Sequence, residues 1–302
     1  MKTKTLIIVN PVSGIGRQRR IETLLKDNLN QDLFDYKVVY TERIHHGTEI
    51  ARDAADRGYD CVVAVGGDGS VNDVVQGLKD TDVCMGIVPC GSGNGLACSL
   101  RIPLQPWLAI RALNHRYEQV IDTIVINDKY ACVNAAGVGF DAHISRLMQA
   151  AKTRGLPAYT NFVLRAYANY RSSDYKLKLN GREYYRNAWI ISVQNSDRIG
   201  FNLTVSPKAK IDDGIMDISI IDKVPVDHVP ISLQLAMINH LDLSQHVEIF
   251  RTKELVIEGN RDKWVDIDGE SMNIGDTVRF VNHPKSLHVF ARDMKQLLIV
   301  RK

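Results

Sequence analysis

Three times in its first third the chain follows a short run of apolar, largely β-branched residues with a glycine-rich loop. LIIV (6–9) leads into Asn10-Pro11-Val12-Ser13-Gly14-Ile15-Gly16, CVVAV (61–65) into Gly66-Gly67-Asp68-Gly69-Ser70, and MGIV (85–88) into Pro89-Cys90-Gly91-Ser92-Gly93-Asn94-Gly95. Apolar runs over 6–9, 36–40, 61–65 and 85–88 predict strands, and the stretches 19–29, 48–56 and 71–78 have helical spacing. That alternation predicts βαβ units and a doubly wound parallel sheet. In such a sheet each loop leaves the carboxyl end of its strand, so all three crowd the edge where open α/β sheets bind ligands.

Glycine lets a backbone approach an oxyanion closely, and amides at a helix start carry the helix dipole behind them. Phosphate is the natural guest. Any one loop alone could be an ordinary tight turn; three on one edge argue for a site. Neither common phosphate signature is present, because Asn72 stands where GxGxxG needs its last glycine and no GxxxxGK[ST] occurs. Asp68 sharpens the question. A carboxylate among phosphate-binding amides repels the guest unless a divalent cation lies between them or the acid works on a proton.

Beyond residue 124 the texture changes to short alternating segments, KLKL, AWIISV, MDISII, ELVIEG, WVDID, TVRFV and SLHVFA. They predict an antiparallel, sandwich-like second domain. The expected division is an α/β domain over 1–124, completed by the chain near 290–302, and a β-rich domain over 125–289. Composition excludes disorder and disulfide scaffolds: 45% of residues are apolar, and the five cysteines form no CxxC pair and mostly sit in apolar runs. The opening MKTKTLIIVNPVSG has too short an apolar stretch for a signal peptide, and no window approaches a membrane span. A cytoplasmic protein is expected. A net charge of +3 gives no reason to invoke nucleic acid.

The motifs VAVGGDGSVNDVV, VPCGSGNGLA, NAAGVGFDA and AKIDDGIMDISII resemble, in order and over nearly the whole chain, the diacylglycerol kinase catalytic family of lipid kinases, which includes bacterial diacylglycerol kinases, YegS-like lipid kinases, and sphingosine and ceramide kinases. GGDG alone also resembles NAD kinases and phosphofructokinases; GSGNGLA and the later DDG and DGE motifs select the lipid kinases. The resemblance implies ATP as co-substrate, with Asn10, Pro11, Val12, Ser13, Gly14 and Thr41 at the nucleotide. Gly66, Gly67, Asp68, Gly69, Ser70, Val71 and Asn72 would surround its phosphates, and Ser92 would reach toward one from the third loop. The Gly93-Asn94-Gly95-Leu96-Ala97 continuation looks closer to the sphingosine kinase type of loop than to the NDFA ending of many bacterial diacylglycerol kinases.

Phosphoryl transfer from ATP needs a metal to neutralise charge and a group to take the acceptor's proton. Carboxylates serve both, and the candidates beside Asp68 are Asp122, Asp212, Asp213, Asp266, Asp268 and Glu270. On strand periodicity Asp266 and Asp268 share one face, and Gly269 lets Glu270 leave the sheet. Asp213-Gly214 and Asp268-Gly269 also read as hairpin turns. The resemblance implies instead a Mg²⁺ site at DDG, held by the backbone of Lys210 and Ile215 and the side chain of Asp213. It also makes Glu270 the general base, with Asp68 and Asp122 in a water and metal network; Asp68 and Glu270 share the role of base in this reading.

The expected acceptor is a membrane lipid hydroxyl, on diacylglycerol or a sphingoid base. The alternatives are NAD kinase-like phosphorylation of a soluble acceptor and a catalytically silent nucleotide-binding regulator. Segment 141–186 holds nine Lys and Arg against three Asp and Glu, beside apolar residues at helical spacing from Ile144 to Tyr170. Such a stretch suits the anionic inner surface of a membrane, or equally a solvated face over stripes packed on the second domain. A homodimer is the further partner expected.

Overall fold

The first third folds as its pattern predicts: β1 (Thr3–Val9), α1 (Ile21–Asn28), β2 (Phe34–Tyr40), α2 (His46–Asp56), β3 (Cys61–Gly66), α3 (Asp68–Leu78), β4 (Cys84–Pro89), α4 (Gly95–Ser99) and α5 (Pro106–Leu113) follow one another. The structure is a computed structural model that describes residues 1–12, 20–151, 156–199 and 203–291. It divides into two units, Met1–Ile121 with the chain from Lys285, and Asp122–Pro284.

In the first unit the strands lie parallel in the order β2-β1-β3-β4. Every residue of β3 and β4 is buried, which is why both read as unbroken apolar runs rather than alternating ones. The chain moves outward from β1 to β2, then back across β1 to β3 and on to β4, so right-handed crossovers put α1 on one face and α2 and α3 on the other. Accordingly α1 packs on α5 and α2 packs on α3. Their contact is close at Gly77, where a Cβ would lie 2.7 Å from both the Ala51 Cβ and the Thr48 carbonyl oxygen.

The second unit is entered along β5 (Glu118–Ile126) and continues through β6 (Tyr130–Cys132), β7 (Ala135–Gly139), α6 (Phe140–Ala150), α7 (Leu156–Tyr167), β8 (Ser173–Leu179), β9 (Arg182–Ala188) and β10 (Ile190–Gln194). There follow β11 (Arg198–Ile199), β12 (Leu203–Thr204), β13 (Met216–Ile221), α8 (Val229–Met237), β14 (Val247–Thr252), β15 (Glu254–Glu258), β16 (Trp264–Ile267), β17 (Glu270–Asn273) and β18 (Thr277–Phe290). One antiparallel sheet runs β14-β13-β10-β7-β16-β17; β15 pairs with β8 and β18, and β8 with β9. Side chains of both sheets, among them Leu177, Ile191, Ile218, Ile257, Val265 and Phe280, form one buried cluster. This is the sandwich-like architecture expected of the β-rich half.

Several boundaries differ from the sequence reading. Segments 277–281 and 286–290 belong to one 14-residue strand, β18, with Lys285 at φ +50 within it. Its end returns to the first unit, where Val289 pairs in parallel with Met85 and the Ala291 N–H donates to the Tyr117 carbonyl at 2.9 Å. Of the expected completing stretch 290–302, only residues 290 and 291 are among those described. Helix α8 has no counterpart in the reading, because its residues are apolar all round and carry no amphipathic period.

Gly77→Ala should lower the thermal midpoint through overpacking worth about 1–3 kcal/mol. An unchanged melting curve would mean that α2 and α3 separate freely.

Candidate functional site

At the carboxyl edge of the first unit's sheet, backbone ladders extend into all three loops. The Asn10 N–H donates to the Val65 carbonyl at 3.1 Å, the Thr41 N–H to Val9 at 2.9 Å and the Cys90 N–H to Gly66 at 2.8 Å. Asn10 then ties the first loop to the second, its Nδ2 donating to the Ser70 hydroxyl at 3.0 Å, while its Oδ1 accepts the Val12 N–H at 3.1 Å. The second and third loops meet backbone to backbone: a Cβ on Gly91 would stand 2.5 Å from the Gly67 Cα. Only glycine permits that approach.

Asp68 closes the set. Its carboxylate accepts the Asn94 N–H at 2.8 Å and the Gly95 N–H at 2.6 Å, the amides that open α4. Asn94 sits in the left-handed region at φ +52, and its side chain accepts from the Gly91 N–H at 3.0 Å and donates to the Gly91 carbonyl at 2.8 Å. Asp68 therefore does not stand bare among phosphate-binding amides; it uses two of the third loop's amides itself. Helix α3 also starts at Asp68, three residues before the expected position 71, so Asp68, Gly69 and Ser70 form its first turn. Gly66 to Asn72 and Thr41 surround this edge together with exposed Pro11, Val12 and Ser92. Ser13 and Gly14 lie outside the described residues. Asn94 is the residue the reading passed over, although it stands inside the GSGNG loop.

In the second unit the DDG segment forms a turn before β13, with Gly214 at φ +75. The Gly214 N–H donates to Asp122 Oδ2 at 2.6 Å, the Ile215 N–H donates to Asp213 Oδ1 at 3.2 Å, and the Asp122 N–H donates to the Ile211 carbonyl at 2.8 Å. Asp122 and Asp213 thus belong to one turn, together with the main chain from Lys210 to Ile215. Arg251 of β14 pairs with both Asp213 and Asp217. No group of three or more His, Cys, Asp or Glu side chains among the described residues is placed to hold a metal. A cation at this turn would therefore combine carboxylates with main-chain oxygens, the hard donors that Mg²⁺ accepts. The guanidinium already drawn to Asp213 shows that the turn attracts positive charge, so the residues fit.

The WVDIDGE run resolves differently from its strand-periodic reading. Asp268 and Gly269, at φ +49 and +87, form a two-residue turn between β16 and β17, and Ile267 pairs with Glu270. Glu270 does not leave the sheet; it opens β17 and is half-buried. Nor does Asp268 share the face of Asp266. Its buried carboxylate accepts the N–H groups of Val133, Asn134 and Ala135 at 3.0, 2.9 and 3.1 Å and the Cys132 thiol at 3.2 Å. Positive φ at Asp268 breaks the alternation on which the one-face reading rested.

Asp266 faces α6 instead. Burial, and then the charge of Asp141 at the start of α6, push the Asp266 carboxyl well above the usual carboxylate range, and its Oδ1 has no hydrogen-bond partner. Burial also raises Asp141, against the Tyr159 hydroxyl that donates to it at 3.3 Å. Most apolar residues of α6 and α7 turn inward, Leu164 excepted: Leu147, Met148, Phe162, Val163 and Tyr167 pack around Phe140, Ile144 and Trp189, and the Phe140 and Trp189 rings stack at 4.0 Å. Of the basic residues in 141–186, Lys176 pairs with Glu183, Lys178 with Glu258 and Arg186 with Glu248. Lys152 and Arg154 lie outside the described residues.

A parallel-sheet unit with interlocked glycine loops, joined to an antiparallel sandwich, is a fold shared with solved kinases. A diacylglycerol kinase from Bacillus anthracis aligns with a TM-score of 0.72 at 20% identity, over 96% of this chain and 97% of that one. An NAD kinase from Archaeoglobus fulgidus in complex with ATP aligns at 0.51 and 12%, over 99% and 97%. Those likenesses establish the fold. Residues 4–126 match the diacylglycerol kinase catalytic domain and residues 134–291 the YegS C-terminal NAD kinase beta sandwich-like domain. The chain belongs to the diacylglycerol kinase catalytic family of lipid kinases, with the YegS type of C-terminal domain. Relatives include the protein named "Diacylglycerol kinase" of Bacillus subtilis, 25% identical over 94% of each chain. The protein named "Probable lipid kinase YegS-like" of Chromohalobacter salexigens is 32% identical, and the match spans 58% of each.

A buried acid whose folded pKa is raised contributes stability that is complete below its unfolded value, about 3.9, and is lost as pH rises through the folded value. Asp266→Asn removes that loss. The variant's melting temperature minus that of the wild type should therefore grow as pH increases from 4 toward neutrality. A difference that is flat with pH would mean that Asp266 is ionised in the folded protein.

Proposed function

We propose that the chain transfers the γ-phosphoryl group of ATP to a hydroxyl of a membrane lipid, of the diacylglycerol or sphingoid-base class, at the cytoplasmic face of a membrane. The observation that carries this reading is the interlocked loop edge, where Asn10, Ser70, Asp68 and Asn94 hold three glycine loops against one another beside the first turn of α3. Preorganised amides of this kind need no rearrangement to receive phosphate oxygens, which is what phosphoryl transfer asks of a protein.

In this reading Asn10 to Gly14 and Thr41 border the nucleotide, the second loop holds its phosphates, and Ser70 and Ser92 offer hydroxyl donors. Asp68 keeps the second and third loops in register through the two amides it accepts, which leaves to Glu270 the larger share in taking the acceptor's proton. Asp122 and Asp213, with the main chain of Lys210 and Ile215, are the residues that would hold Mg²⁺. When bound, that ion supplies counter-charge for phosphate oxygens. Arg251 pairs with Asp213 and Asp217 beside it.

The test is transfer of label from [γ-³²P]ATP to diacylglycerol, phosphatidylglycerol, sphinganine, ceramide and NAD. A labelled lipid supports the proposal, a labelled NAD replaces it with a soluble-acceptor kinase, and no labelled product replaces it with a silent regulator. On the acceptor that is labelled, Asp68→Asn and Glu270→Gln should each lower kcat by about 10²-fold or more with folding retained. Near-normal turnover in both would reject these roles. At the DDG turn, Mg²⁺ should raise the melting temperature of the wild type and not of Asp213→Ala; an equal rise in both moves the cation elsewhere.

A further inference from the structure

Helix α8 is an unusual surface element. Its sequence, VPISLQLAM, continues into INHL, and no Lys, Arg, Asp or Glu occurs from residue 228 to 241. A helix that is apolar all round belongs in a core. Here only Ala236 is buried, resting with Leu235 on a small cluster of Val205 and Leu241. At 100° per residue the buried positions occupy one face, and Leu233, Met237, Pro230, Gln234, Ile238 and Ile231 fan across the other, five of the six apolar. Leu233 is 52% exposed, Met237 71%, Ile231 59% and Ile238 55%, and Val226 and Leu243 flank them at 73% and 71%. Six of the fifteen exposed large apolar side chains among the described residues therefore fall within 226–243, a concentration that scattered surface leucines do not produce.

We propose that α8 is a membrane-inserting element: its outer face enters the hydrocarbon boundary of the bilayer, with the helix axis in the plane of the surface. Three observations choose lipid over protein as the occupant. The face bears no charge, which suits hydrocarbon. A stable protein interface takes about 20–30 residues from each side with a polar rim; one nine-residue helix and two flanking side chains fall well short. Apart from Ser232 and Gln234 within the helix, the polar residues gather at its two ends, Asp227 and His228 before it and Asn239 and His240 after it, where a helix lying flat keeps them at headgroup level. The inference also rests on the lipid-kinase reading, since an acceptor held in a bilayer gives a reason for the surface. The basic segment 141–186 is a different kind of contact, because three of its cations are paired within the protein.

Insertion is hydrophobic, so it should persist on vesicles of neutral phosphatidylcholine and survive 1 M NaCl, where charge attraction is screened to about 3 Å. The full-length triple variant Leu233→Gln, Met237→Gln, Ile238→Gln should melt like the wild type and lose at least tenfold in vesicle partitioning. Its turnover of a long-chain diacylglycerol in vesicles should fall in step, while turnover of a water-dissolved short-chain diacylglycerol stays unchanged. Met237→Cys carrying a polarity-sensitive fluorophore gives an independent readout: its emission should shift to the blue on vesicle addition. Wild-type binding that disappears in high salt, equal binding by the triple variant, or an unshifted fluorophore would overturn the proposal. A concentration-dependent dimer abolished by the triple variant, without vesicle binding, would overturn it in favour of a second copy. Should none of the lipids, neither diacylglycerol nor phosphatidylglycerol, sphinganine or ceramide, be phosphorylated while vesicle binding behaves as described, the kinase reading fails and the insertion stands.

Discussion

One carboxylate holds the edge of the three glycine loops together. Asp68 accepts two backbone N–H groups from the start of α4, and around that pair the remaining contacts fall into place. Gly67 and Gly91 come within backbone contact because the two loops are drawn together; Asn94 adopts a left-handed conformation because its own side chain braces Gly91 while its N–H faces Asp68. A hydrogen bond to a charged acceptor is worth more than a neutral one, about 1.5–3 kcal/mol. Two of them on one carboxylate are enough to fix a pair of loops that glycine would otherwise leave loose.

The second unit repeats this device with a different result. Asp268 gathers three successive amides, Val133 to Ala135, and so fastens the β16–β17 turn to the start of β7. Its neighbour Asp266, two residues earlier, has the opposite surroundings: few donors, burial, and another acid close by. Two carboxylates of one heptapeptide thus divide into a fully hydrogen-bonded acceptor and a group driven toward its neutral form, and Glu270, half-buried at the head of β17, is the third environment. In this chain the surroundings of each acid follow from what its side chain faces rather than from the spelling of the run.

Charge on the surface follows a similar logic. Segment 141–186 is strongly basic when counted alone, yet Glu248 and Glu258, which neutralise Arg186 and Lys178, come from β14 and β15, more than 60 residues further along the chain. Helix α8 is the reverse case. It is unremarkable as a run of apolar residues and becomes informative only because the fold leaves it outside.

What the sequence determined was the periodic and the local. The β-branched runs could only be buried parallel strands, their glycine loops had to leave one edge, and the alternating second half had to be antiparallel, because periodicity of hydrophobic side chains fixes which faces can be covered. The family, too, was legible in the order of four short motifs. What the tertiary structure alone decided was the partner of each polar group. That Asp68 is answered by Asn94 and Gly95, that Asp268 turns at positive φ into the amides of Val133 to Ala135, that Asp266 meets Asp141 and that Arg251 lies on Asp213 are all pairings between segments separated by 26 to more than 130 residues. A carboxylate's role depends on the field at its two oxygens, which falls off within a few ångströms. Only the folded chain brings the residues that make that field so close.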